Sequence, residues 1–284
     1  MAQSLSAAAR GEIEHVTRLC QRLDFFINCP PLTVRALSQG DSNQSYHVHT
    51  AQGDYVLRCY PESSVVCRQQ ELRCQHAAAA KGLAPAPLCL NNHFQVLLTD
   101  YIADGCHYPY ATLGLLPLLE KLVPFHQLAV QTPLLDCTHY LQQQWQTMAP
   151  SDAAQALFRR VLSSAAALAE QPADEVLCHL DLHSGNVLWA ANRTWLLDFE
   201  YSQRADSSLD LAALCIHYNL DLTQQNQLLQ QYARLRQRSE LVAQLQLKIT
   251  DAKTVYAAFC WLWYLAQPDC QAQAALWQQR LQQL

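Results

Sequence analysis

The sequence predicts an α+β protein of two lobes, with a small antiparallel sheet followed by a larger helical part. Apolar and polar residues alternate around a polar centre over residues 33–60, and two apolar runs lie on either side of Asn91-Asn92 within 86–102, as expected of strands. From about residue 111 apolar residues recur at helical spacing instead, interrupted by one hairpin pattern near residue 190. We therefore expect an N-terminal helix within 1–32, a sheet lobe over 33–100 and a helical lobe over 101–284.

The elements of the sheet lobe follow from its periodicity and its turn residues. Gly82 and the prolines after it end a helical pattern, and Asn91-Asn92 separates two apolar runs. In chain order the sequence predicts a helix over 12–27, a strand ending near Leu37, strands over 45–50 and 54–60, a helix over 66–83, and two strands around Asn91-Asn92.

The helical lobe begins after the connecting segment "DYIADGCHY". Its apolar spacing predicts helices over 112–129, 138–148 and 152–170, and three more helical segments after residue 206. Between the helix over 152–170 and the helical segments after residue 206, "NVLWA" and "TWLLDF" predict the two strands of a short hairpin.

Composition restricts the class of protein. Half of the residues are hydrophobic and 15% are charged, which is typical of a globular domain, and a net charge of −5 gives no basic surface for nucleic acid. The N-terminal residues lack the apolar core of a signal peptide, and "YAAFCWLWYLA" is too short to span a bilayer. We expect a cytoplasmic protein, a monomer or homodimer, with no membrane partner. None of its 12 cysteines forms a Cys-x-x-Cys pair, so they predict reduced, mostly buried side chains.

The stretch "CHLDLHSGNVLWAANRTWLLDFE" (178–200) concentrates polar residues around the hairpin. Asp181 and Asn186 lie in one loop, and the hairpin returns Asp198 to that loop. An amide and a carboxylate oxygen, from Asn186 and Asp198, suit Mg²⁺, which prefers oxygen ligands. Asp181 then remains to accept a proton from an attacking hydroxyl. This division of roles is the one that phosphoryl transfer requires.

The polar residues of this stretch have two other interpretations, as turn residues or as zinc ligands. Asp181, Asn186 and Asp198 are also ordinary turn and cap residues, although their joint pattern is more specific than any one of them. His179 and His183 have the spacing of zinc ligands on a helix, but Gly185 and the strand pattern favour a loop. We expect His179 to hydrogen-bond the backbone as a scaffold residue, and the sequence assigns no role to His183.

With "HLDLHSGNVL" and "LLDFEYS", the chain resembles the aminoglycoside phosphotransferase and choline kinase family, relatives of the protein kinases, over roughly residues 33–266. The resemblance implies a two-lobed protein-kinase-like fold, ATP and Mg²⁺ as cofactors, and a small-molecule alcohol as the second substrate. It also implies that Asp181 is the catalytic base, that Asn186 and Asp198 bind the metal, and that Asp210 supports the catalytic loop.

The resemblance extends to the nucleotide site. "LSQGDSNQSYHV" resembles the loop over the ATP phosphates, "YVLRCY" the strand that carries a phosphate-binding cation, and "LLTDYI" the hinge that hydrogen-bonds adenine. The loop departs from its relatives, since it has one glycine, Gly40, and an acid, Asp41. The residues that would bind ATP are Ser42, Asn43, Gln44, Arg58, Glu71 (paired with Arg58), Asp100 and Ile102.

The motifs shared across the family do not specify which alcohol accepts the phosphoryl group. "FCWLWYLAQ" resembles the aromatic helix of the choline pocket, and aromatic faces attract quaternary ammonium groups. Choline ranks first and thiamine close behind. An aminoglycoside would need several acids lining an open cleft, and the helical half has no dense acidic run. A catalytically silent binding protein is the remaining alternative. The candidate acceptor-binding residues are Glu200, Trp261, Trp263 and Tyr264.

Overall fold

The computed structural model describes residues 7–37, 43–61, 66–148 and 151–284. The chain divides into two compact units, the first ending at Gly105 and the second beginning at Cys106. The expected boundary, at residue 100, falls just before this point. The expected separate N-terminal segment is part of the first unit.

The first unit is an antiparallel sheet with two helices. Its elements are α1 (Ala7–Cys20), β1 (Thr33–Ala36), β2 (Gln44–Thr50), β3 (Gly53–Cys59), α2 (Arg68–Ala80), β4 (Pro87–Asn91) and β5 (Val96–Asp100). The strands lie in the order β1-β2-β3-β5-β4, and each neighbouring pair is antiparallel. The sheet and α2 agree with the pattern in the sequence.

The helix α1 packs on this sheet. Val16 and Cys20 belong to the same buried cluster as Tyr46 and Leu57 of the strands. The sequence predicts one helix over 12–27, but α1 ends at Cys20 and a short 3₁₀ turn follows at Asp24–Phe26. Leu23, just before the turn, is extended, with ψ 127°. The break turns the chain so that this side chain and Phe26 are both buried in the cluster.

The second unit is mainly helical and contains two small sheets. Its elements are β6 (Cys106–His107), α3 (Tyr110–Leu113), α4 (Leu116–His126), α5 (Cys137–Gln146), α6 (Asp152–Glu170), β7 (Glu175–Cys178), β8 (Val187–Ala190), β9 (Arg193–Leu196), β10 (Gln203–Asp206), α7 (Ser208–His217), α8 (Leu222–Leu235), α9 (Leu241–Ala266) and α10 (Gln271–Gln283). Strand β7 pairs with β10, and β8 lies between β6 and β9.

The long helix α9 is the centre of this unit, because α5, α6, α7, α8 and α10 all pack on it. The sequence predicts three helical segments after residue 206, whereas four helices occupy this region. None of the described helices is both long and apolar enough to cross a bilayer. The cysteines, all within described segments, form no disulfide.

Candidate active site

The loop between β7 and β8 carries Asp181 and Asn186, and the β8–β9 hairpin carries the chain back to it. A two-residue turn joins the strands, with φ 49° at Ala191 and 57° at Asn192, the left-handed geometry of tight hairpins. At the open end of the hairpin the Leu197 N–H donates to the Asn186 carbonyl over 2.9 Å. Asp198 therefore leaves the hairpin beside the backbone of Asn186.

Asp210, in the first turn of α7, anchors the loop between β7 and β8. Its carboxylate is wholly buried and accepts from the backbone N–H groups of His179 and Leu180, both over 2.7 Å. Leu180 has φ 65°, a conformation that costs a non-glycine residue about 1–3 kcal/mol. The two charge-assisted bonds offset this cost and fix the backbone immediately before Asp181.

A third donor to Asp210 is His126, at the end of α4, which the sequence analysis missed. Its Nε2 donates to Asp210 over 2.9 Å, and its Nδ1 accepts from the Tyr232 hydroxyl over 2.7 Å. The Cys178 thiol lies close enough for the three side chains to suggest a metal site. Both imidazole nitrogens are already used in hydrogen bonds, so the group is a hydrogen-bond network. Nothing in the sequence around His126 marks it as a partner of Asp210, which is 84 residues away.

His179 ties the loop to the strand that precedes Asp198. Its Nε2 donates to the Leu197 carbonyl over 2.8 Å, and its ring lies against Phe125 and Phe199. Burial lowers the pKa of His179, so the imidazole is neutral. His179 was expected to hydrogen-bond the backbone as a scaffold residue, and these contacts are of that kind.

Asn186 and Asp181 contact each other directly. The Asn186 Nδ2 group donates to the Asp181 carbonyl over 3.0 Å and to its Oδ2 over 2.7 Å. Both amide protons are thereby used, and the Asn186 Oδ1 accepts no hydrogen bond from any described residue. This amide oxygen and the Asp198 carboxylate form a set of hard donors that fits Mg²⁺. Asp198 itself has φ 63°, which turns the chain out of the hairpin.

Tyr201 follows Glu200 directly and lies within electrostatic reach of Asp181. Trp263 lies near the Tyr201 hydroxyl. Burial, with the nearby charges of Glu200 and Asp181, raises the pKa of Tyr201 well above its ordinary value. Tyr140 lies close to the same hydroxyl and was not anticipated. The Tyr201 hydroxyl is thus close to two aromatic residues and to two carboxylates.

The three aromatic residues predicted for the acceptor have different environments. Trp261 is wholly buried and lies against Trp145, with ring centroids 5.6 Å apart. Its ring therefore offers no surface to a ligand and belongs to the core. Trp263 and Tyr264 are partly exposed and contact each other edge to face. Helix α9 is apolar on most sides, so its sequence does not reveal which tryptophan is buried.

In the first unit, two arginines bind one buried carboxylate. Glu71 of α2 is 1% exposed; Arg58 of β3 contacts its Oε1 over 3.2 Å and Arg68 its Oε2 over 2.9 Å. The guanidinium of Arg68 also lies over the Tyr60 ring at 3.5 Å. The pairing of Arg58 with Glu71 was expected, whereas Arg68 was missed. Its spacing of three residues from Glu71 on one helix is the signal that could have found it.

The other nucleotide candidates occupy varied positions. Ser42 lies outside the described residues, as do Gly40 and Asp41, while Asn43 is buried. Gln44 is exposed and accepts from the Tyr46 hydroxyl over 3.2 Å. The Asp100 N–H donates to the Ala86 carbonyl, and no backbone hydrogen bond joins Ile102 to another described residue.

The fold is shared with solved small-molecule kinases. It resembles a choline/ethanolamine kinase family protein from Mesorhizobium loti, with a TM-score of 0.77, 20% identity and coverage of 95% of this chain and 93% of that one. Choline kinase LicA from Streptococcus pneumoniae gives a TM-score of 0.77 at 19% identity, with 98% of each chain covered.

A third similar structure is the aminoglycoside phosphotransferase APH(4)-Ia, in a ternary complex with ADP and hygromycin B. Its TM-score is 0.67 at 16% identity, with 98% of this chain and 97% of that one covered. No curated protein matches the chain by sequence.

These relatives have the protein-kinase-like fold that the sequence predicts. The model of the phosphotransferase enzyme family matches residues 33–244, a range that contains both units' sheet strands and the whole loop–hairpin site. The chain therefore belongs to the phosphotransferase enzyme family.

Proposed function

We propose that this phosphotransferase moves the γ-phosphoryl group of ATP, with Mg²⁺, to the hydroxyl group of a small alcohol, of which a cationic alcohol such as choline is the first candidate. The observation that carries the proposal is the direct contact between the Asn186 amide and the Asp181 carboxylate, in a loop fixed by the buried Asp210. A base and a candidate metal ligand are thereby held in one rigid group.

In the proposed reaction, Asp181 accepts the proton of the acceptor hydroxyl. The hydroxyl oxygen forms a bond to the γ-phosphorus as the bond to the β-phosphate bridging oxygen breaks, and ADP leaves with that oxygen. The protein supplies orientation and charge rather than covalent chemistry. The hydrogen bond from Asn186 supports this role because it restrains the rotation of the carboxylate.

Asn186 and Asp198 would hold the metal. Bound Mg²⁺ would supply charge neutralisation at the phosphate oxygens, which carboxylates alone would repel. The amide oxygen of Asn186 fits this task because its nitrogen already faces Asp181.

Arg58 is the proposed phosphate-binding cation of the first unit. The buried Glu71 neutralises part of its charge and holds its guanidinium, as it does that of Arg68. A cation fixed in this way has less conformational freedom to lose when it binds phosphate. The backbone of Asp100 and Ile102 is the proposed adenine contact, with Asn43 and Gln44 beside the phosphates.

The preference for a cationic acceptor rests on the groups around Asp181. Tyr201, with Tyr140 and Trp263 near its hydroxyl, lies within electrostatic reach of Asp181, and the neighbouring Glu200 is a buried carboxylate. Aromatic faces and carboxylates attract an ammonium group. Thiamine, a cation that also bears a primary alcohol, is the second candidate, with less structural support, since no similar structure described above is a thiamine kinase.

The first test replaces the proposed base. Asp181→Asn should keep the melting temperature and ATP binding while lowering turnover by about 10²–10⁴-fold, the usual contribution of a positioned base. Asp269→Asn is the matched control, because Asp269 is exposed and lies outside the proposed site. Turnover by Asp181→Asn at the wild-type rate would overturn the assignment.

The second test identifies the acceptor. ATP consumption is measured with choline, ethanolamine, thiamine, homoserine and an aminoglycoside panel, each with and without Mg²⁺. Choline as the best substrate supports the proposal, and a clear preference for thiamine or an aminoglycoside replaces it. Failure to bind Mg·ATP in a calorimetric titration would favour a catalytically silent protein.

A further inference from the structure

His183 occupies a position between the proposed base and a glycine two residues later. Its side chain is 39% exposed, against 25% for Asp181. Its Nδ1 accepts from the Gly185 N–H over 3.0 Å, so the neutral imidazole carries its proton on Nε2. That Nε2 lies 3.6 Å from the Oδ2 of Asp181. The distance is longer than a hydrogen bond, and the contact is an electrostatic one between an N–H group and a carboxylate.

The ring of His183 rests directly on Gly185. A Cβ atom at this position would lie 2.7 Å from the His183 Cε1 atom and 3.0 Å from its Nδ1. Unlike several other glycines of the chain, Gly185 has no positive φ that would exclude alanine. Glycine at residue 185 therefore leaves space for the His183 imidazole, and the backbone conformation does not require it.

On its other side, His183 faces a second imidazole. The His217 ring lies 5.9 Å from that of His183 and 5.7 Å from that of Trp277, in α10. Its Nε2 is hydrogen-bonded to the Tyr256 hydroxyl of α9 over 2.9 Å. Burial, with the nearby His183 and Arg280, lowers the pKa of His217 to about 3. The neutral ring limits the space behind His183 without repelling it.

We propose that His183 is a positioning residue for Asp181. With its ring against Gly185 and near His217, its Nε2–H restrains the carboxylate on the Oδ2 side, where Asn186 also donates. The carboxylate is then set in one rotation for the acceptor hydroxyl. The inference rests on the proposed function, since it assigns a role toward Asp181 as the base.

A simpler role must be separated from this one, because His183 also caps the short 3₁₀ turn Ser184–Asn186 by accepting from Gly185. His183→Ser separates the two roles. A serine hydroxyl caps such a turn well but is too short to reach Asp181. We expect kcat to fall roughly tenfold or more with the KM for ATP and the melting temperature unchanged, as for a small displacement of a catalytic group.

Gly185→Ala completes a double-mutant cycle with His183→Ser. In the wild-type background the added Cβ displaces the imidazole, so kcat should fall by a similar factor. In the His183→Ser background it has no ring to displace and should change kcat less than twofold. Equal effects of Gly185→Ala in both backgrounds, or wild-type kcat in His183→Ser, would overturn the proposal.

The same assay includes Asp181→Asn. If that variant is inactive and the cycle is additive, only the positioning role fails. If Asp181→Asn retains wild-type turnover, the proposed function itself fails.

Discussion

Replacing Asp210 with asparagine tests how far the catalytic loop depends on one buried carboxylate. In wild type the Oδ2 atom accepts from His179 N and His126 Nε2, and Oδ1 accepts from Leu180 N. An amide that keeps its oxygen at Oδ2 places its NH₂ group against the Leu180 N–H. One charge-assisted bond is lost, about 1.5–3 kcal/mol, and buried donors remain without an acceptor, a further 1–3 kcal/mol or so.

We therefore expect Asp210→Asn to lower the free energy of unfolding by about 3 kcal/mol, or the melting temperature by roughly 5–10 °C. Leu180, released from φ 65°, should relax and displace Asp181, with kcat falling about a hundredfold. Melting followed by circular dichroism and an ATP-consumption assay measure the two effects. Asp221→Asn is the control, because Asp221 caps α8 and asparagine caps as well. A shift of melting temperature below 1 °C, with kcat within twofold of wild type, would refute the reasoning.

Three further predictions concern buried charges. Glu71→Gln should raise the KM for ATP about tenfold in steady-state kinetics, with a smaller change in kcat, because two arginines lose their shared carboxylate; an unchanged KM contradicts it. Lys248→Met leaves Asp206 without its buried cation and should cost about 3 kcal/mol in urea unfolding, with normal kcat for the folded protein. Burial alone would raise the pKa of Asp174, but a serine hydrogen bond and two arginines lower it. Its stabilising contribution is thus present above about pH 4 and lost as the pH falls through the lowered pKa, so the unfolding free energy of Asp174→Asn should decline less steeply on acidification than that of wild type.

Much of the fold could be predicted because local patterns encode it. Alternation predicts β1 to β3, and the turn Asn91-Asn92 between two apolar runs predicts β4 and β5. The hairpin at residues 187–196 is set by its apolar runs and its two-residue turn. The two-lobed fold class is confirmed by the solved relatives. The predicted end of the first helix was wrong. Apolar spacing continues past Cys20, but α1 ends there and the backbone at Leu23 is extended.

The supporting residues of the site could not be predicted because they act through long-range contacts. His126 is 84 residues from Asp210, and nothing near it in the sequence refers to a catalytic loop. Arg68 and Tyr140 are likewise ordinary helix residues until the chain folds. Trp261 and Trp263 differ by two residues, which on an apolar helix leaves the buried face undetermined. The residues of the β7–β8 loop could be predicted together because they are close in sequence.

Asp210, which anchors the loop, is synthesised after the loop residues that it holds. Asp181 and Asn186 leave the ribosome before Asp210, whose bonds to the loop span 30 and 31 residues. A nascent chain that stops before α7 has the loop sequence but not the carboxylate that shapes it. The described geometry of the loop therefore requires the chain as far as α7, where Asp210 also contacts His126 of α4.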